Sequence, residues 1–214
     1  MRKSYAVLGS GRFGSNVAKE LYESGADVIL IDRNPDIINR MSEYVTCAYC
    51  GDIGDTAFLK EAGVAYADAV VIAFAELEPA ILAVMTCKEL GVPNVIVKAK
   101  DEVSGEIFLK VGADKVIYPE KEAGLRLAHV LLSNGFLDFF ELSDTVSMVE
   151  MLPKKEWVGK SLKELNLRKS HHINVIAIKE KGDVKAFIDP DMPLREDCAL
   201  IVTVHNKDLK KLRN

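Results

Sequence analysis

Residues 4–32 read SYAVLGSGRFGSNVAKELYESGADVILID, a glycine-rich hexapeptide set between two short apolar runs. Ser4–Gly9 and Asp27–Asp32 are continuous enough in apolar residues to be strands buried on both faces. Between them Phe13, Val17, Leu21 and Tyr22 recur at helical spacing over Arg12–Ser24. Gly9-Ser10-Gly11-Arg12-Phe13-Gly14 is therefore a G-x-G-x-x-G that follows a strand and opens a helix, the context that gives the pattern meaning. Gly9 permits the tight turn, Gly11 lets the backbone approach a pyrophosphate, and Gly14 lets the helix pack close to the strand. The helix N-terminus offers unpaired N–H groups and the positive end of its dipole to phosphates.

Asp32 closes the second apolar run, where a carboxylate accepts hydrogen bonds from ribose hydroxyls and repels a 2′-phosphate, disfavouring NADP even with Arg33 adjacent. Asp52, after a third strand over Val45–Cys50, is placed to line the adenine side of the same crevice. Ser10, Phe13, Arg33 and Ile53 flank these positions and belong to the same candidate site. The pattern fits an adenosine with two or three phosphates as well as NAD. Arg12, a cation inside the fingerprint, suits a terminal phosphate; the plainer alternative is a solvated residue at a helix start.

The alternation continues outward. A helix opens at Asn34-Pro35, and others are expected over Asp55–Ala62, Leu77–Leu90 and Glu102–Val111. Strands are expected over Ala69–Ala75, Asn94–Lys98 and Lys115–Tyr118. The expected fold class is α/β: a doubly wound parallel Rossmann-like sheet over 1–119, with a smaller α+β domain over 143–214. Residues 120–142 are expected to be a crossover or linker. Its helix, Lys121–Ser133, is apolar round most of its circumference and needs a partner surface, with another subunit favoured over the second domain. The second domain reads strand (Val146–Leu152), helix (Ser161–Asn166), strand (Asn174–Lys179), strand (Val184–Ile188), strand (Ala199–His205) and a terminal helix.

Composition narrows the function. The chain has 214 residues, 49% hydrophobic and 28% charged, which excludes disorder. A net charge of −4 argues against a dedicated nucleic-acid binder. No apolar run reaches the length of a membrane span, and the run after Met1-Arg2-Lys3 ends too soon for a signal peptide, so a cytoplasmic location is expected. Cys47-Ala-Tyr-Cys50 could be a redox pair or half a zinc site, yet on a strand the two cysteines point to opposite faces, and His129, His171, His172 and His205 are remote. No Tyr-x-x-x-Lys, G-x-S-x-G or H-E-x-x-H supplies a catalytic group. A nucleotide site without visible chemistry beside it fits a sensor. The alternatives are a small NAD-dependent oxidoreductase and a redox or zinc sensor acting through Cys47 and Cys50.

The motifs Gly9-Ser-Gly11-Arg12-Phe13-Gly14, Asp32-Arg-Asn34, Gly51-Asp52, Val97-Lys98-Ala99 and Gly112-Ala-Asp114 followed by Tyr118-Pro-Glu120-Lys121 resemble, in order and spacing, RCK proteins (regulators of K+ conductance). The resemblance is greatest to cytosolic Trk/Ktr-type subunits that gate bacterial potassium transporters. Leu142-Ser-Asp144 and Asp197-Cys-Ala-Leu-Ile-Val202 extend it into the second domain. The resemblance implies pairing through the last helix of the first domain and a ring, typically an octamer, docked beneath a membrane-embedded potassium-translocating subunit. It implies exchange of ATP against ADP, or NADH against NAD+. By this resemblance Arg12 would reach a terminal phosphate, its own or that across the dimer, Lys98 would lie near the crevice, and Glu120 would sit near that phosphate or an accompanying Mg2+ or Ca2+.

Overall fold

The computed structural model describes residues 2–74 and 76–213. Its chain divides into two units, one ending at Glu120 and the other beginning at Lys121. The first unit runs β1 (Ser4–Leu8), α1 (Arg12–Glu23), β2 (Asp27–Asp32), α2 (Pro35–Met41), β3 (Cys47–Cys50), α3 (Thr56–Glu61), β4 (Ala69–Ile72), α4 (Leu77–Glu89), β5 (Val95–Lys98), α5 (Glu102–Lys110) and β6 (Lys115–Ile117). The six strands form one sheet in the order β3-β2-β1-β4-β5-β6, every pair parallel. This is the doubly wound arrangement expected from the alternating pattern. Of the strand expected over Ala69–Ala75, Ala69–Ile72 is β4, and Ala75 lies outside the described residues.

Local chemistry sets the helix starts. The Asn34 side chain accepts from the N–H groups of Asp36 and Ile37 while Pro35 takes the first helical position, so α2 begins where the Asn-Pro pair places it. Asp101 and Ser104 close a reciprocal capping box on α5. β1 and β4 are buried on both faces, and two apolar clusters cover the sheet, one around Leu8, Ile72 and Val97, the other around Val7, Leu30 and Val71. The strand order reverses between β1 and β4, which opens the crevice where ligands of such sheets bind.

The second unit takes up most of α6 (Pro119–Leu131) and continues with β7 (Phe136–Ser143), β8 (Val146–Met151), α7 (Leu162–Leu165), α8 (Leu167–Ser170), β9 (Ile173–Glu180), β10 (Asp183–Lys185), β11 (Cys198–His205) and α9 (Leu209–Leu212). Its sheet is antiparallel, in the order β10-β9-β11-β8-β7, around a core that includes Trp157, Val149, Leu200 and Val202. Two expectations change here. Residues 136–142, read as linker, are the edge strand β7; a register shift between Phe136 and Asp138 puts both Phe136 and Phe139 in the core despite their odd spacing. The strand expected over Val184–Ile188 is only Asp183–Lys185, and Phe187 stands fully in solvent. None of the residues of α6 is buried, and Leu125, Leu127 and Leu131 are exposed along it.

Candidate functional site

The loop after β1 is built around two glycines that tolerate no side chain. Gly9 has φ +96° and donates its N–H to the carbonyl of Ile31 at 2.8 Å, tying the loop to the end of β2. A Cβ on Gly14 would lie 1.9 Å from the Gly9 carbonyl oxygen, so only glycine lets α1 approach the strand this closely. Gly11 differs. It is the N-cap of α1, no side chain caps it, no acidic residue occupies the first turn, and a Cβ there would meet nothing within 4 Å. The first N–H groups of α1 therefore face open space, the arrangement an anion uses. Phe13 packs against the apolar cluster under the loop, so its part in any anion site is confined to its backbone.

Asp32 is held toward this loop by backbone donors. Its Oδ2 accepts from Ser10 N–H at 2.6 Å and its Oδ1 from Asn34 N–H at 2.8 Å. Burial pushes the Asp32 carboxyl up, but these N–H bonds outweigh it and hold the group below its ordinary value. The carboxylate is thus fixed in place and ionised, with lone pairs left for a ribose. Arg33 turns away: its Nη2 donates to Asp52 Oδ1 at 2.8 Å, and Gly54 N–H donates to the same oxygen at 2.9 Å. The Gly54 N–H and then Arg33 hold the Asp52 carboxyl below its usual range. Ile53 is buried in the core of the sheet. Lys98, two strands along from β1, pairs through Nζ with Glu120 Oε1 at 2.6 Å, and this ammonium holds the Glu120 carboxyl below its usual range.

The structure thus joins the glycine loop to Asp32, Arg33 to Asp52, and Lys98 to Glu120. It adds Ser15 and Arg40, which share a pocket with Ser10, Gly11 and Arg12. Arg40 carries no sequence signal, because an arginine in the last turn of a short helix reads as solvated. All four histidines lie in the second unit: His129 stacks on Phe139, His171 meets Trp157 edge-on, His172 faces Asp208 and His205 ends β11. Cys47 and Cys50 are free thiols, and among the described residues no three His, Cys, Asp or Glu side chains are grouped to hold a metal. Nor, among those residues, is any helix long and apolar enough to cross a membrane.

Residues 5–119 match the TrkA-N domain and residues 146–214 the TrkA-C domain. Ktr system potassium uptake protein A of Bacillus subtilis (strain 168) is 33% identical over 213 residues, covering 99% of this chain and 96% of its own length. Ktr system potassium uptake protein C of the same strain is 36% identical over 185 residues, 86% of this chain and 84% of its own. Among solved structures, the GsuK channel bound to NAD superposes with a TM-score of 0.70 at 17% identity, covering 100% of this chain and 40% of that one. At that identity the likeness shows the fold, and this chain spans well under half of that channel's length. The matches to both domains, in order and over nearly the whole chain, place it in the TrkA-N/TrkA-C (RCK) family of Ktr and Trk potassium uptake proteins.

Proposed function

We propose that this chain is an adenine-nucleotide-responsive regulatory subunit that gates a separate potassium-translocating membrane protein. The observation that carries the reading is the pairing of an uncapped, open α1 N-terminus with an ionised Asp32 fixed by Ser10 N–H. One feature accepts phosphates and the other a ribose, and family membership supplies the potassium system. Among solved relatives, the GsuK channel is bound to NAD and a Kef C-terminal domain to AMP, which supports adenine nucleotides as the ligand class. Within that class, exchange of ATP with ADP, or of NADH with NAD+, is the signal.

In this reading Asp32 orients the ribose, the α1 N-terminus and Arg12 hold phosphates, and Asp52 borders the adenine. Glu120 offers the single carboxylate that a Mg2+ or Ca2+ bound to the phosphates would use, once exchanged from Lys98. The exposed leucines of α6 provide the surface for pairing with a second copy, and pairs assemble into a ring, octameric by resemblance. A nucleotide shifts the pore only by the difference in its affinity for two shapes of that assembly. The chain acts as a regulator and carries no catalytic step.

The test is potassium flux into liposomes that hold the membrane subunit, with and without this chain. The expected result is a flux that changes with the nucleotide supplied and loses that response in Asp32→Ala. Flux indifferent to the chain, or to every adenine nucleotide, would contradict the proposal.

A further inference from the structure

In the second unit the loop between β10 and β11 borders a cavity of about 140 Å3, walled by Ile178 of β9 and by Met192, Pro193, Leu194 and Cys198. The cavity reaches into the core, where Leu194 and Cys198 are buried. Its polar groups are already satisfied. Cys198 Sγ donates to the Arg195 carbonyl at 3.0 Å, Lys185 pairs with Glu180 at 2.5 Å, and Arg195 pairs with Asp197 at 2.8 Å. Among the described residues, none of the buried side-chain N or O atoms that lack a partner lies in its wall. The cavity thus has nothing left with which to recognise a charged ligand, and an apolar group suits it. An apolar cavity of about 150 Å3 stays dry and takes benzene, so this one has the size of a single phenyl ring.

Such a ring stands at the mouth. Phe187 lies on the rim and is 101% exposed, so no part of its own chain packs against it. One face therefore carries an apolar knob beside an apolar hole of matching size. A two-fold axis brings the knob of each copy to the hole of the other and buries both rings in one isologous contact. Met192, half exposed beside the mouth, supplies a flexible thioether to meet the incoming ring. The rim charges cancel within each chain, so two copies of this face meet without like-charge repulsion. The neighbouring edge strand β10 has only three residues and carries Asp183 and Lys185, which makes it a poor template for extending the sheet. The contact is thus one of side-chain insertion. We infer that the second unit carries a self-association surface in which Phe187 of one copy fills the cavity beside Leu194 and Cys198 of another. This contact is separate from α6 and rests neither on the pairing through that helix nor on the nucleotide reading.

Light scattering of the full chain over a range of concentrations tests it, with Phe187→Ser placed both in the wild type and in a Leu127→Asp, Leu131→Asp background that disables the α6 face. Circular dichroism gives the thermal midpoint of each protein. In the α6-disabled background the mass is expected to rise with concentration above that of a single chain. Adding Phe187→Ser is expected to raise the concentration of half-association at least tenfold, with the midpoint of the dilute chain unchanged. Phe187→Leu, a smaller apolar group, is expected to fall between the two. In the wild-type background Phe187→Ser is expected to lower the assembly mass at low concentration. A mass that Phe187→Ser leaves unchanged in both backgrounds overturns the contact while leaving the α6 pairing and the nucleotide reading standing. An unchanged mass with a lowered midpoint shows in addition that the ring fills the cavity of its own chain, which equally overturns the exchange between copies.

Discussion

Gly11 and Gly14 sit three positions apart in one hexapeptide, yet a methyl group has opposite consequences at the two. At Gly14 it would collide with the Gly9 carbonyl oxygen, so Gly14→Ala is expected to cost about 3 kcal/mol in urea unfolding as the helix is pushed off the strand. At Gly11 the backbone is extended with φ −62°, which alanine adopts freely, and the added methyl meets no protein atom. Gly11→Ala is therefore expected to cost about 1 kcal/mol or less, through weaker capping, while lowering nucleotide affinity about tenfold by filling the approach to the N–H groups. Equal effects of both variants on stability would contradict this division. The roles of Gly9, Gly11, Gly14 and Asp32 were legible because they depend on residues a few positions away. The Arg33–Asp52 pair was not, because it depends on β2 and β3 lying side by side with Asp32 opposite Cys50. Arg40 was hidden for a similar reason: it shares a pocket with Ser10 and Arg12 only once the chain is folded.

Elements of the first unit announce themselves because parallel strands covered on both faces are unbroken apolar runs, and α2, α3 and α5 open on side-chain caps at Asn34, Asp55 and Asp101. The second unit is less legible. β7 breaks the period-two rule at its bulge, so the buried Phe136 and Phe139 look like an irregular apolar patch instead of a strand. The same strand meets α6 in a contact that responds to pH. His129 stacks on Phe139 with centroids 3.8 Å apart and accepts a hydrogen bond from Arg213 at 2.8 Å, so its neutral form is the one that fits. Burial, with Arg213 beside it, pushes the His129 pKa down, while Glu141 opposes. A histidine whose folded pKa lies below its unfolded value contributes stability that is full above about pH 6.5 and is lost as pH falls through the folded value. The thermal midpoint of the wild type is expected to fall between about pH 6.5 and pH 5 more than that of His129→Gln. Matching losses in the two proteins would show that His129 is not responsible.

As a whole molecule the chain is two units with separate cores, one around the parallel sheet and one around Trp157 and β11. The two-domain order and the doubly wound class could be read from the pattern of apolar runs; the short β10 and the edge position of β7 could not. Helix α6 carries Leu127 59% and Leu131 76% exposed, a face that the proposed regulator uses to meet a second copy. Because these side chains are in solvent within the single chain, Leu127→Asp with Leu131→Asp is expected to leave the thermal midpoint within a few degrees while lowering the mass measured by light scattering. An unchanged assembly mass in that variant would remove α6 as the pairing surface. The central claim, that an adenine nucleotide binds at the α1 N-terminus and Asp32, is tested most directly by calorimetric titration of the stripped protein with ATP, ADP, NAD+ and NADH. Binding of at least one, weakened about tenfold or more by Asp32→Ala, is the expected result; no binding of any of the four to the folded wild type would contradict it.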